Sequence, residues 1–123
     1  MIGYATIGVS DMGRAKKFYT DLFESKGAKV VIDSGRIAFL SSGRDKPMLA
    51  MCEPYDGNAP TAGNGAMIAF SADSKEDVDQ MYARAIEVGA TDDGKPGQRI
   101  PDRFYGAYVR DPDNNKLCFF VFG

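Results

Sequence analysis

A chain of 123 residues can bury one hydrophobic core without metal or disulfide staples, so a single domain is the expectation. With 44% hydrophobic and 26% charged residues it has an ordinary globular composition, and a net charge of −2 lacks the Lys and Arg excess that nucleic acid demands. No apolar run approaches the roughly 20 residues that cross a bilayer. No basic start leads into an apolar stretch either, so neither a membrane segment nor a secretory signal is read. Cys52 and Cys118 sit in apolar segments without metal-type spacing and read as free thiols of a reducing cytoplasm.

In chain order, residues 2–9 alternate as a strand, with Ala5, Ile7 and Val9 on one face and Tyr4, Thr6 and Gly8 on the other. Ser10 is placed to cap the helix that follows, and Asp11 favours its positive end. Met12, Ala15, Phe18, Tyr19, Leu22 and Phe23 recur at helical spacing, and Gly27 supplies a left-handed stop. Strands are expected at 28–32 and 36–40, joined by Asp33-Ser34-Gly35, and at 47–52 after a turn at 42–45. Residues 54–65, rich in Gly, Pro and Asn, read as a linker.

The pattern then restarts. Residues 66–72 read as a strand, and Ser74 with Asp77 three residues on approximates a capping box. Val78, Met81, Tyr82, Ala85 and Ile86 form a buried helical stripe that ends at Gly89. Strands are expected near 98–100, at 105–110 and at 117–122, the last two joined by the turn at 111–115. Tyr4 falls opposite Met67, Phe18-Tyr19 opposite Met81-Tyr82, Gly27-Ala28 opposite Gly89-Ala90, and Ala50 opposite Cys118. Such matching points to duplication: module one at 1–53, a linker at 54–65 and module two at 66–123. Each module's helix covers one sheet face, and pairing two curved sheets would bury the other faces around a cleft.

The segments Thr6-Ile7-Gly8-Val9-Ser10-Asp11, Ala15-Lys16-Lys17-Phe18-Tyr19, Gly63-Asn64-Gly65 and Phe104 through Leu117 carry a resemblance that covers essentially the whole length. In their order and spacing the chain resembles the vicinal oxygen chelate superfamily: glyoxalase I, extradiol dioxygenases and bleomycin-resistance proteins. The resemblance implies an α+β fold of two tandem βαβββ modules, forming a curved mixed sheet around a cavity with helices on the outer face. It also implies a homodimer. Metal-dependent members place histidine and glutamate ligands on the first and last strands of each module. Carried over, those positions are Tyr4, Ala50, Met67 and Cys118, in a chain with no histidine at all. None suits a hard or borderline divalent ion. A soft Cu(I) site from Cys118, Met67 and Met48 or Met51 is the remaining metal option, but Met and Cys in strands are usually core filler. No metal and no cofactor are therefore expected.

Strand alternation names the cavity face without the family: Tyr4 and Thr6; Met48, Ala50 and Cys52; Met67, Ala69 and Ser71; Cys118, Phe120 and Phe122, with Tyr108 and Tyr105 closing a wall. This surface is apolar and aromatic, as small-molecule pockets are. Phe120 and Phe122 fit core or dimer-interface roles better than ligand contact. Cys118 reads as an inert thiol, having no histidine to make it a nucleophile. Arg99 and Arg103 flank Asp102 ahead of Phe104-Tyr105, and Arg103 is the candidate for recognising a carboxylate or phosphate, with a solvated local ion pair as the plain alternative. Three functions are open. One is a metal-independent protein that binds an apolar or aromatic small molecule. Another is an enzyme of the same superfamily (lyase, isomerase or dioxygenase-like) using Tyr4, Tyr105 or Glu53 in acid–base work. The third is an interaction protein whose cavity is filled by its own side chains.

Overall fold

The repeat read from the sequence is a repeat of topology in the computed structural model, which describes residues 1–123. In chain order the elements are β1 (Tyr4–Gly8), α1 (Met12–Leu22), β2 (Lys29–Asp33), β3 (Ile37–Ser41) and β4 (Met48–Cys52). They recur as β5 (Ile68–Ser71), α2 (Lys75–Glu87), β6 (Thr91–Ile100), β7 (Phe104–Arg110) and β8 (Lys116–Phe122). Two four-stranded sheets result, ordered β1-β4-β3-β2 and β5-β8-β7-β6. In each, the first strand pairs in parallel with the last and the others are antiparallel, so the fold is α+β with two tandem βαβββ modules. The chain divides into two compact units, Met1–Ala62 and Gly63–Gly123.

In the first unit α1 packs on β3 and β4. Ala15, Phe18, Tyr19 and Leu22 are its buried stripe, and Ile7, Ala38, Leu40, Leu49 and Met51 are the buried strand residues on the helix side, with Ala50 buried on the other side. Met12, expected in that stripe, is only half-buried at the helix's first position. The cap is Asp11 and not Ser10. Asp11 is extended at φ −138°, and its Oδ1 accepts the amide of Arg14 at 3.0 Å. The reason is reach: an N-cap oxygen bonds the amide two or three residues on. Ser10 instead accepts a guanidinium N–H of Arg14 at 3.0 Å. Gly27, at φ 73°, ends a single 3-10 turn with its amide on the Glu24 carbonyl.

The second unit repeats this with better capping. Ser74 accepts the Asp77 amide at 3.0 Å while the Asp77 carboxylate accepts the Asp73 amide at 2.8 Å. Val78, Met81 and Ala85 are buried, whereas Ile86 is exposed and Tyr82 half-buried, its phenol donating to Asp92 at 2.8 Å. The largest departure from expectation is β6, ten residues long where three were read. Its Asp-Asp-Gly-Lys-Pro-Gly composition hides a period of two, and three register shifts absorb it as bulges. The β7–β8 turn is held from within: buried Asp111 accepts the amides of Asp113 and Asn115 at 2.9 and 2.8 Å and the Asn115 side chain at 3.0 Å.

The 54–65 segment packs against β1 through Pro60. A Cβ placed on Gly8 would come within 2.8 Å of Pro60 Cβ, so β1 must present bare backbone there. Gly8→Ala should therefore destabilise the protein by about 1–3 kcal/mol, read as a lowered midpoint in urea unfolding; an unchanged midpoint would mean that Pro60 does not seat on β1.

Candidate functional site

Each sheet has one face under its helix and one face without a helix, and the second kind collects the candidate residues. In the first unit, β1 and β4 run in register, with Tyr4 beside Met48, Thr6 beside Ala50 and Gly8 beside Cys52. Across β3, Ile37 lies beside Cys52 and Phe39 beside Ala50. Since Leu49 and Met51 are committed to the helix side, Tyr4, Thr6, Met48, Ala50 and Cys52 share the open side. Tyr4 stands 52% exposed, edge-on to Phe39 with ring centroids 4.9 Å apart. Phe39 was not among the sequence candidates, although the same alternation applied to β3 would have named it. Arg36 Nη1 lies 3.0 Å from Cys52 Sγ and donates to the Glu53 carbonyl at 3.0 Å, with its guanidinium over the Tyr55 ring.

In the second unit the open side carries Ala69 beside Cys118, Cys118 beside Tyr108, Phe120 beside Gly106, and Phe122 beside Phe104. Phe104 lies parallel to Phe120, centroids 5.4 Å apart, and edge-on to Phe122 at 6.1 Å. Gly106 makes room for it: a Cβ there would stand 2.7 Å from the Phe104 ring. Phe104 is thus a third member of an aromatic shelf that sequence reading limited to Phe120 and Phe122. Met67 precedes β5 by one residue and is exposed.

Two candidates fall elsewhere. Tyr105 is placed on the helix side of β7, one residue out of phase with Tyr108; its phenol donates to Asp79 on α2 at 2.7 Å, under the Lys75 ammonium. That carboxylate, with burial second, pushes the Tyr105 phenol above its ordinary pKa. Arg103 lies in the turn between β6 and β7, where its amide bonds the Ile100 carbonyl and its carbonyl accepts from Gly123. Its side chain is exposed beyond the strand ends. The arginine that lies beside Tyr108 is Arg99, whose Cζ is 5.4 Å from the ring centroid.

Cys118 is fully buried, and burial pushes its thiol pKa up, against weaker pulls from a hydrogen bond with Tyr108 and from the charges of Lys116 and Arg99. It is a neutral thiol at physiological pH and a poor nucleophile. At the four positions aligned with metal ligands stand a phenol and a methyl in the first unit, and a thioether and this thiol in the second. No group of three or more His, Cys, Asp or Glu side chains is placed to hold an ion. The residues do not fit the divalent metal of the metal-dependent relatives.

This fold and these faces define the family. The sequence model of the glyoxalase/bleomycin resistance protein/dioxygenase superfamily matches residues 1–119, and the chain belongs to that superfamily. It is similar to the crystal structure of a glyoxalase/bleomycin resistance protein from Albidiferax ferrireducens, with 33% identity, TM-score 0.86, and coverage of 98% of this chain and 97% of that one. A lactoylglutathione lyase from Agrobacterium tumefaciens is similar at 25% identity and TM-score 0.73, covering 98% and 92% of the two chains. A family enzyme from Burkholderia phytofirmans, at 24% identity, TM-score 0.79 and coverage of 96% and 95%, shares the fold. No curated protein matches the chain. No helix is long and apolar enough to cross a membrane.

The two thiols should differ sharply toward a disulfide reagent such as DTNB. Half-buried Cys52 is expected to react in the folded protein, and Cys118 only after denaturant is added; two fast equivalents would contradict the buried placement of Cys118. Tyr105 should ionise above the ordinary phenol value of about 10. Because its folded pKa is raised, its bond to Asp79 stabilises the fold fully below that ordinary value and is lost as pH rises through the raised one. Asp79→Asn should shift the Tyr105 phenolate absorbance step to lower pH, with Tyr105→Phe identifying the step.

Proposed function

We propose that the protein is a metal-independent small-molecule-binding member of its superfamily, acting as a homodimer in the cytoplasm and holding an apolar or aromatic ligand against the open sheet faces. The observation that carries this reading is the aromatic lining of a face that no helix covers: Phe104, Phe120 and Phe122 in mutual ring contact, with Phe122 76% exposed. Two half-buried rings grouped with an exposed one are characteristic of a binding surface, and apolar contact with a ligand removes them further from water. Superfamily members bind small molecules. The donor chemistry at Tyr4, Ala50, Met67 and Cys118 supports metal independence. Two free cysteines support a reducing compartment. The dimer rests on the family resemblance.

Binding in this scheme needs no catalytic residue. Tyr4 has an exposed phenol on the first sheet's open face, above Met48 and beside Phe39, where it can offer one directional hydrogen bond within an apolar surround. Met48 and Met67 adapt to ligand shape through unbranched thioether chains. Thr6 and Cys52 complete the proposed lining on the first unit's open face, and Tyr108, Cys118 and Phe120 that on the second unit's.

Native mass spectrometry of untagged protein, followed by denaturing analysis, tests the proposal. A dimer carrying an organic adduct and no metal supports it; a stoichiometric divalent ion would sink metal independence. Tyr4→Phe should leave the thermal midpoint nearly unchanged and weaken ligand binding roughly 3- to 10-fold, the worth of one hydrogen bond. An unchanged affinity in a fluorescence titration would remove Tyr4 from the site.

A further inference from the structure

We propose that Arg99 and Lys116, gathered around the Tyr108 ring, form an anion-binding corner, so that the ligand is an aromatic carboxylate. This rests on the small-molecule-binding reading and adds a charge requirement to it. Arg99 Cζ lies 5.4 Å and Lys116 Nζ 5.2 Å from the centroid of the same ring. One ring thus has two cations set against it in a chain whose net charge is −2. Their neutralisation is incomplete. Asp93 is shared between Arg110 at 2.9 Å and Lys116 at 3.7 Å, so one carboxylate serves two cations. The Arg99 guanidinium has a carbonyl partner, that of Lys95, and no carboxylate.

The corner is built by the backbone as well as by charge. A Cβ on Gly97 would stand 3.1 Å from Arg99 Nη1, and one on Gly94 would stand 2.9 Å from the Tyr108 ring and 3.4 Å from Arg99 Nη2. Two glycines on the bulged strand β6 therefore leave the bed in which the guanidinium and the phenol ring lie. Gly94, at φ 150°, also has a backbone geometry that side chains rarely adopt. An arginine already laid down loses less rotamer entropy when a ligand arrives. Its planar fork matches the two oxygens of a carboxylate.

The ligand's other half follows from strand alternation. Tyr108 and Cys118 are paired across β7 and β8, and two residues further along the same face come Gly106 and Phe120, then Phe104 and Phe122. At about 3.4 Å per residue the aromatic shelf begins about 7 Å from the Tyr108–Cys118 pair. A carboxylate attached to a flat ring system spans that distance. The cations also face the buried thiol of Cys118, whose pKa they pull downward, in keeping with a positive field at this end of the sheet.

The test compares naphthoate with its neutral analogue naphthalenemethanol on the full chain, by calorimetry at low salt. The expected result is a preference for the acid of about 10-fold or more, the worth of one charged hydrogen bond. That preference should weaken with added salt. In Arg99→Gln it should fall to about 2-fold or less, and in Arg103→Gln it should persist. Amide NMR should show naphthoate shifting Gly94, Gly97 and Tyr108. Equal binding of the two probes by the unmodified protein would overturn the anion corner while leaving the binding reading standing, and this comparison needs no variant to fold. Binding of neither probe at millimolar concentration would count against both. A preference that survives in Arg99→Gln, with a native amide spectrum, would overturn the assignment to Arg99.

Discussion

The structure depends on one constraint: a single helix on a four-stranded sheet packs against only one of its faces. In the first unit α1 takes Ala38, Leu40, Leu49 and Met51, and each fully buried large side chain contributes about 1.5–3 kcal/mol. Because side chains alternate strictly, the same commitment turns Met48, Ala50 and Cys52 the other way. The second unit obeys the same rule, with Leu117 and Phe119 under α2 and Cys118 and Phe120 opposite. The candidate faces are therefore the sides of the sheets that the helices do not take.

What the faces carry differs between the units. The first offers a tyrosine, a threonine, thioether and thiol groups, with Arg36 beside Cys52 at its edge. The second offers a shelf of three phenylalanines and, further along, a tyrosine attended by two cations. The scaffold repeats while the open faces differ. The contrast is sharpest at Tyr19 and Tyr82, which occupy corresponding helix positions. The first is wholly buried beside Phe18, and the second uses its phenol to hold Asp92 at the start of β6.

Membership of a superfamily does not carry over its metal chemistry. Fold and donor set are separate properties: the apolar helix-side pattern sets the fold, and the side chains at the donor positions set what can be held there. Here those positions hold Tyr4, Ala50, Met67 and Cys118, and the strand geometry around them is intact.

Legibility in the sequence followed from periodicity. Both helices, the stops at Gly27 and Gly89, and the alternation of β1, β4 and β8 were readable, because an apolar stripe of period 3.6 or 2 is a local signal. Strand β6 was mostly missed, since Gly94, Pro96 and Gly97 break the period and only pairing with β7 makes the segment extended. The helix cap moved from Ser10 to Asp11 because capping depends on where the first turn starts, which packing sets. Tyr4, Thr6, Met48, Cys52, Cys118 and Phe120 could be assigned to a face from parity alone. Parity applied to Tyr105 and Tyr108 together could not succeed, since residues three apart on a strand face opposite ways, and only the Asp79 contact decided which one the helix kept. The choice of Arg99 over Arg103 was likewise tertiary. By itself the sequence determined the family, the repeated βαβββ pattern and the absence of imidazole, all of which are carried by residue identity and local spacing. Which cations meet which ring was decided by the bulges of β6 and the register of β7 on β8, because those bring together side chains that no local pattern relates.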